Sequence, residues 1–518
     1  MNRTELVERL RERREAWDLL VIGGGATGVA IALDAAARGY QVALVERGDF
    51  GQGTSSRSTK LVHGGVRYLE QGNVPLVMEA LKERGLLKEN APHLVSELAF
   101  VVPNYVWWEA PFYGVGLRLY DLLAGKYGFG ASRNLSKEET LERLPTIKTE
   151  GLRGGVVYYD GQFDDTRLLT QMAMTAVEQG AVLANYCPVV GLVVEGGMVA
   201  GARVRDEETG AEYELRARGV INATGAYSDR VRRMGDAEAA GMVAPSQGVH
   251  LVFDASFLPG ETAIMVPHTS DGRVMFAIPW HGHTLVGTTD TALTEVEDEP
   301  RAFEHEVEFI LETAGQYLHH APGREDVLSV WAGIRPLVKA PGAATTAALS
   351  RDHSIHVDRN GLLTIAGGKW TTARKMAEDC VDQAALLAGL EERDCVTKRL
   401  RIHGYHHHAA KFGARGVYGS DAIAIEDLIR VEPELGRRLD GELPYAEAEV
   451  VWAARWEMAR TVEDVLSRRT RALVLNARAA RRMAGRVAAL LARELGRGVE
   501  WEREQVEMFD RLARGYLP

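Results

Sequence analysis

"DLLVIGGGATGVAIALDAAARGYQVALVE", residues 18–46, decides how this chain is read. Residues 19–22 form a short apolar run of the kind found in buried parallel strands. Gly23, Gly25 and Gly28 supply a G-x-G-x-x-G spacing, residues 26–38 read as a helix, and Gly39 ends it. Residues 41–45 then read as the next strand, closing on Glu46. Gly23 permits a tight turn, Gly25 lets a diphosphate approach the backbone, and Gly28 lets helix and strand pack closely. The helix N-terminus offers N–H groups and a partial positive charge to phosphates. Glu46 is placed to accept hydrogen bonds from a ribose hydroxyl pair, which favours FAD or NAD over NADP.

A second stretch chooses between those two. "ARGVINATGAYSD", residues 217–229, reads as a strand ending at Ala223 that runs into Thr224-Gly225. This A-T-G turn resembles the second fingerprint of the two-dinucleotide-binding-domain flavoproteins. Residues 189–219 alternate with period two around Gly-Gly and Thr-Gly turns, which predicts a β-meander inserted into the dinucleotide-binding unit. FAD is therefore expected rather than NAD.

"TSSRSTKLVHGGVRYLE", residues 54–70, is too sparse in apolar positions for a core helix and lacks strand alternation. Set just beyond Glu46, the hydroxyls of Thr54, Ser55, Ser56 and Thr59 suit a diphosphate and a ribityl chain. Gly64-Gly65 would let the backbone pass a flavin ring without a Cβ clash, leaving His63 and Arg67 beside it. The plainer alternative is a polar surface loop.

Composition narrows the classes. At 518 residues the chain is long for one core, and 46% hydrophobic with 26% charged residues describes a folded globular protein. A net charge of -11 argues against nucleic-acid binding. Cys187, Cys380 and Cys395 lack metal-ligand spacing and suggest a reducing compartment. No metal site is expected. Neither a signal peptide nor a run of ~18 apolar residues is visible. The expectation is a cytoplasmic protein, peripheral at most on the inner face of the cell membrane. Residues 1–16 read as a charged, solvated helix with Leu6, Val7 and Leu10 on one side.

Six further motifs occur in order: "VGTTDT" (286–291), "WAGIRPL" (331–337), "ALSRDHSI" (348–355), "IAGGKWTTARKMAED" (365–379), "VYGSDA" (417–422) and "VEDVLSRRTRA" (462–472). Together with the two N-terminal stretches they resemble the FAD-dependent, respiratory glycerol-3-phosphate dehydrogenase family over nearly the whole chain. The resemblance implies oxidation of sn-glycerol 3-phosphate to dihydroxyacetone phosphate, by hydride transfer from C2 to flavin N5, with electrons passed to a membrane quinone. It carries Arg67, Arg335 and Lys369 over as residues lining the substrate site. Arg351, in "ALSRDHSI", is a further fork for phosphate, and Tyr68 is grouped with Arg67. Gly368, Lys369, Trp370 and Thr371 open a helix whose backbone N–H groups could face the flavin. His63 is the first candidate for the base and His250, in "SQGVHLVFD", the second.

The fold expected is α/β: an FAD-binding, Rossmann-like unit, a mostly antiparallel β substrate domain and a C-terminal helical domain. The FAD-binding unit is assembled from residues 17–75, 156–235 and 351–400, and the substrate domain from 76–155 and 236–350. Residues 401–518 form the helical part, expected to brace the others or to mediate self-association as a homodimer. The aromatic stretch 104–129 is read as buried packing, with a membrane-docking surface that receives the quinone as the alternative. The histidines at 403 and 406–408 are read as a surface linker rather than a metal site. Rival functions are an oxidase using oxygen, a flavin enzyme of 2-hydroxy acids or amines, and a flavin-binding partner protein without turnover.

Overall fold

The computed structural model describes residues 1–66, 69, 72–267, 269, 272–339 and 352–518. Arg67, Tyr68 and Arg351 lie outside the described residues.

The unalternating run at 17–22 forms the strand Trp17–Ile22, almost wholly buried. It pairs in parallel with Val42–Val45 on one side and Glu212–Asn222 on the other, so both fingerprints end side by side. Val182–Ala184 extends the sheet beyond Val42–Val45, and Leu363–Gly367 extends it beyond Glu212–Asn222, both in parallel. His353–Val357 closes that edge antiparallel, and the expected meander, Val189–Glu195 and Met198–Arg205, hangs from Glu212–Asn222. The helices Ala26–Ala37, Asp165–Glu178 and Ala373–Leu387 pack together over this sheet. Ala26–Ala37 is alanine-rich and nearly all apolar, which suits a helix enclosed by neighbours.

A second sheet is antiparallel in every described pairing except Thr262–Val266 with Val95–Asn104. At its centre the strand Val243–Asp254 lies between Ser329–Val338 and His283–Gly287. Its far edge is Leu61–Val62, paired with Gly154–Phe163. The stretch after Glu46 therefore runs from the first sheet to the second, and residues 54–63 lie in the seam between them.

The C-terminal helices, among them Glu447–Trp456, Ala477–Leu495 and Val499–Arg514, do not stand apart. Leu466, Leu473, Met483 and Leu491 share one core with Trp280 and Trp331 of the second sheet. Three local readings change. The N-terminal helix Arg3–Glu12 is docked rather than solvated: Leu6, Val7 and Leu10 are buried, and buried Arg3 reaches Asp206 at 2.6 Å. The helix Glu109–Ala124 buries Tyr113, Leu117 and Tyr120 but leaves an apolar stripe in solvent, so buried packing describes only one face. His403 is a tie rather than a linker, held by Glu178 at 2.5 Å and Asp421 at 2.7 Å.

Candidate active site

The two fingerprints meet backbone to backbone. Gly23 has φ +111°, and a Cβ there would stand 2.7 Å from the Ala223 carbonyl oxygen. One at Gly28 would stand 1.9 Å from the Gly23 carbonyl oxygen, so neither position admits a side chain. The helix begins at Ala26, whose N–H donates to Ser55 Oγ at 2.8 Å. Glu46 is half-buried at the end of its strand, accepting from Gly24 N at 2.6 Å and Gly48 N at 2.9 Å. Burial pushes its carboxyl above the usual range, partly offset by those two bonds. Gly225 lies against Pro336, which follows Arg335. A glycine turn without side chains, a helix N-terminus and a strand-end carboxylate form a donor set that fits FAD.

The hydroxyls of residues 54–59 bond to the protein itself. Thr54 Oγ1 donates to Ile334 O at 2.5 Å and Ser56 Oγ to Gly53 O at 3.3 Å. Trp370 Nε1 donates to Ser55 O at 2.9 Å, and Thr371 Oγ1 to His63 O at 3.4 Å. The segment is thus clamped from the second sheet and from the turn Trp370–Thr372 that follows Gly368-Lys369. Gly367 and Gly368 both have positive φ, and a Cβ on Gly368 would meet Met376 Sδ at 2.3 Å. Gly64 has a packing reason that the sequence did not reveal: a Cβ would fall 2.3 Å from the Tyr120 hydroxyl.

Across the seam, Ser246 pairs with Arg335, Gly248 with Gly333 and His250 with Trp331. Antiparallel partners share a face, and so do alternate residues along a strand. His250 and Arg335 therefore flank Gly248 on one face. A Cβ on Gly248 would lie 2.3 Å from Arg335 Nη2, and one on Gly287 2.5 Å from His250 Cδ2. Arg335 is fixed by Gln247 O at 3.2 Å, Asp290 at 3.3 Å, Thr288 Oγ1 at 3.1 Å and Thr289 O at 3.1 Å. His250 is 2% exposed and stacks on Trp331 at 4.3 Å between ring centroids. Its Nε2 shares a hydrogen with Thr59 Oγ1 at 2.9 Å, while Nδ1 is buried with no hydrogen-bond partner among the described residues. Burial, and after it the charges of Lys60 and Arg335, hold the imidazole well below its ordinary pKa and so neutral.

Sequence reasoning missed the groups behind this face. Lys60 is fully buried; its Nζ donates to Ser56 O at 2.8 Å and to Asp165 Oδ2 at 2.7 Å. Arg471, from the C-terminal part, donates to Ser56 O at 2.8 Å and to Asp165 Oδ1 at 3.0 Å. Asp49, three residues past Glu46, receives Arg468 at 2.5 Å and Arg469 at 2.7 Å. Burial alone would raise the Asp49 carboxyl, but the two guanidinium groups outweigh it and hold the pKa at about 2. The signal was the triple arginine of "VEDVLSRRTRA", whose charges need buried carboxylates in a chain otherwise packed tightly.

The chain is similar to known proteins over most of its length. The family described as FAD dependent oxidoreductase matches residues 18–374. The C-terminal domain of alpha-glycerophosphate oxidase matches residues 363–506. The mitochondrial glycerol-3-phosphate dehydrogenase of Homo sapiens is 43% identical, over 95% of this chain and 72% of its own.

This chain belongs to the FAD-dependent glycerol-3-phosphate dehydrogenase family.

The probable mitochondrial enzyme of Caenorhabditis elegans is likewise 43% identical over 95% of this chain and 72% of its own. The glycerol-3-phosphate dehydrogenase of Bacillus halodurans, solved with FAD, superposes with a TM-score of 0.81 at 31% identity, covering 100% of this chain and 98% of that one. The cofactor of this glycerol-3-phosphate dehydrogenase family member is FAD, and the fold expected from the sequence is the one found.

Proposed function

We propose that the chain oxidises sn-glycerol 3-phosphate to dihydroxyacetone phosphate, with hydride passing from C2 to the flavin and electrons going on to a membrane quinone. The observation that carries this reading is His250 and Arg335 on one face of neighbouring strands, flanking Gly248. FAD, when bound, supplies the hydride acceptor.

The chain's own residues do the rest. Gly23, Gly25, Gly28, Glu46, Ala223, Gly225 and the turn Gly368–Thr371 hold the cofactor, with Ser55 and Thr54 fixing the loop beside it. Arg335, together with Arg67, Tyr68, Arg351 and Lys369, receives the anionic substrate. Arg335 is already oriented by its backbone and side-chain acceptors, so little ordering remains to be done on binding. His250 takes the proton of the C2 hydroxyl. A neutral imidazole is required for that, and burial beside two cations keeps it neutral. This reverses the order expected from sequence, in which His63 came first.

The quinone reading is supported by the helix Glu109–Ala124. Trp108, Phe112, Val115, Leu119 and Leu122 recur at helical spacing on its outer face, and Leu122 is 76% exposed. Trp107, just before it, is 73% exposed, and Arg118 and Lys126 flank the stripe. Apolar and aromatic side chains with adjacent cations suit the interface of an anionic bilayer. No described helix is long and apolar enough to cross a membrane.

The test is glycerol 3-phosphate deuterated at C2. Anaerobic flavin bleaching should slow about two- to sevenfold, as a C–H bond broken in the rate-limiting step requires, a rate change that corresponds to about 0.4–1.2 kcal/mol. An unchanged rate would remove hydride transfer as the slow chemical step. Turnover with a short-chain quinone in the absence of oxygen, against turnover with oxygen alone, separates the dehydrogenase from the oxidase reading.

A further inference from the structure

Lys60 sits in the left-handed backbone region, φ +63°, where a residue with a Cβ is held only by its surroundings. Its ammonium lies 4.6 Å over the Trp331 ring and 5.3 Å from that of Trp280. Trp331 is the ring on which His250 stacks, and Thr59, the residue before Lys60, makes the hydrogen bond to His250 Nε2. Both contacts of the imidazole are thus one residue or one ring away from Lys60.

The charges around Lys60 do not cancel in pairs. Asp165 is the carboxylate on Lys60, but it also receives Arg471 at 3.0 Å and the Ser58 hydroxyl at 2.7 Å. Asp164, beside it, is occupied by His281 at 2.9 Å, with Arg471 Nε at 3.8 Å. Arg335 is the other cation facing His250. Lys60 thus shares its one carboxylate with Arg471, which also reaches Asp164, so among the described residues Lys60 has no carboxylate to itself.

We infer that Lys60 is a positioning residue for the reaction, holding Thr59 and Trp331 against His250 and, while protonated, setting a positive charge on the Trp331 ring that His250 stacks on. The inference rests on His250 acting as the base. While Lys60 is protonated its charge adds to burial in disfavouring imidazolium, which keeps His250 available for proton removal at C2. Burial, with Arg471 beside it, outweighs the support of Asp165 and lowers the Lys60 pKa to about 7, so the charge is present on the acid side of the profile.

Lys60→Gln keeps donors for Ser56 O and Asp165 while removing the charge. Lys60→Met fills the space between the two indoles and leaves Asp165 with Arg471 and Ser58. The readouts are flavin bound per chain and the anaerobic bleaching rate with glycerol 3-phosphate between about pH 5.5 and 9. Either variant should keep its flavin, lose about tenfold in rate at neutral pH, and move the acid limb of the profile upward by about half a unit or more. Lys60→Arg should return the limb toward its original place. An unmoved acid limb in whichever of the two neutral variants folds overturns the inference, whatever happens to the rate. His250→Gln is run alongside: if it bleaches at the unaltered rate, the base assignment has failed instead.

Discussion

Arg471 donates a hydrogen bond of 2.8 Å to the carbonyl oxygen of Ser56, 415 positions earlier in the chain. The C-terminal part therefore reaches through the protein to hold the loop that follows Glu46. Arg468 and Arg469 do the same for Asp49 at the start of that connection.

Arg471→Ala should weaken both folding and cofactor retention. It leaves Lys60 as the one described cation on Ser56 O and Asp165 and opens a cavity under Trp280. Breaking such a buried ion pair costs about 3–5 kcal/mol. A melting temperature lowered together with the flavin content is expected; loss of neither would mean that the arginine does not hold the loop.

Arg335→Ala should leave the protein yellow. The guanidinium bonds to the second sheet and not to the fingerprints, so FAD should stay bound. Losing charge-assisted bonds to a phosphate is worth about 3 kcal/mol, or about 10²-fold in kcat/KM. Steady-state kinetics beside a flavin spectrum read both quantities. Unimpaired kcat/KM would remove Arg335 from the substrate site.

Gly28→Ala and Gly53→Ala make a matched pair. The first places a methyl group 1.9 Å from the Gly23 carbonyl oxygen; the second meets nothing within 4 Å. Overpacking of this kind costs about 1–3 kcal/mol or more and here displaces the turn itself. Gly28→Ala is expected to purify colourless or not to fold, and Gly53→Ala to match the parent in flavin content and melting temperature.

His403 makes stability depend on pH. Burial lowers its pKa, but Asp421 and Glu178 outweigh burial and raise it to about 9. A histidine raised above its unfolded value stabilises fully below about pH 6.5, and that contribution is lost as pH rises through about 9. After allowance for its partial exposure, about 1–2 kcal/mol is expected. The melting-temperature gap between the parent and His403→Gln should be wide near pH 6 and close by about pH 10.

The outer stripe on Glu109–Ala124 predicts binding to vesicles containing anionic lipid. Replacing Trp107 and Leu122 by serine should reduce that binding by about tenfold or more, since each removes a largely exposed apolar side chain able to enter the interface. Activity with a soluble acceptor should persist. Equal sedimentation of both proteins with vesicles would argue against this face.

The dinucleotide-binding sheet was legible because its signals are local: an unbroken apolar run, three glycines at fixed spacing and an acid at the strand end. The substrate-side sheet was legible in type, from period-two alternation, but not in register. Nothing in residues 243–254 alone says that His250 comes opposite Trp331, or that Gly248 separates it from Arg335; strand pairing across 80 or more positions decides that. Lys60 and Arg471 were hidden for the same reason. A charged residue reads as surface until a distant carboxylate is seen to bury with it. The aromatic helix failed differently. Its composition looked like core, but Tyr113, Leu117, Tyr120 and Ala124 pack inward while the other face meets solvent.

The central claim is best tested by the anaerobic visible spectrum of the purified protein before and after addition of sn-glycerol 3-phosphate. The expected result is a flavin band that bleaches with glycerol 3-phosphate and persists with glycerol or a 2-hydroxy acid. A flavin band that glycerol 3-phosphate leaves unchanged would contradict the proposed reaction while leaving the fold and its cofactor in place.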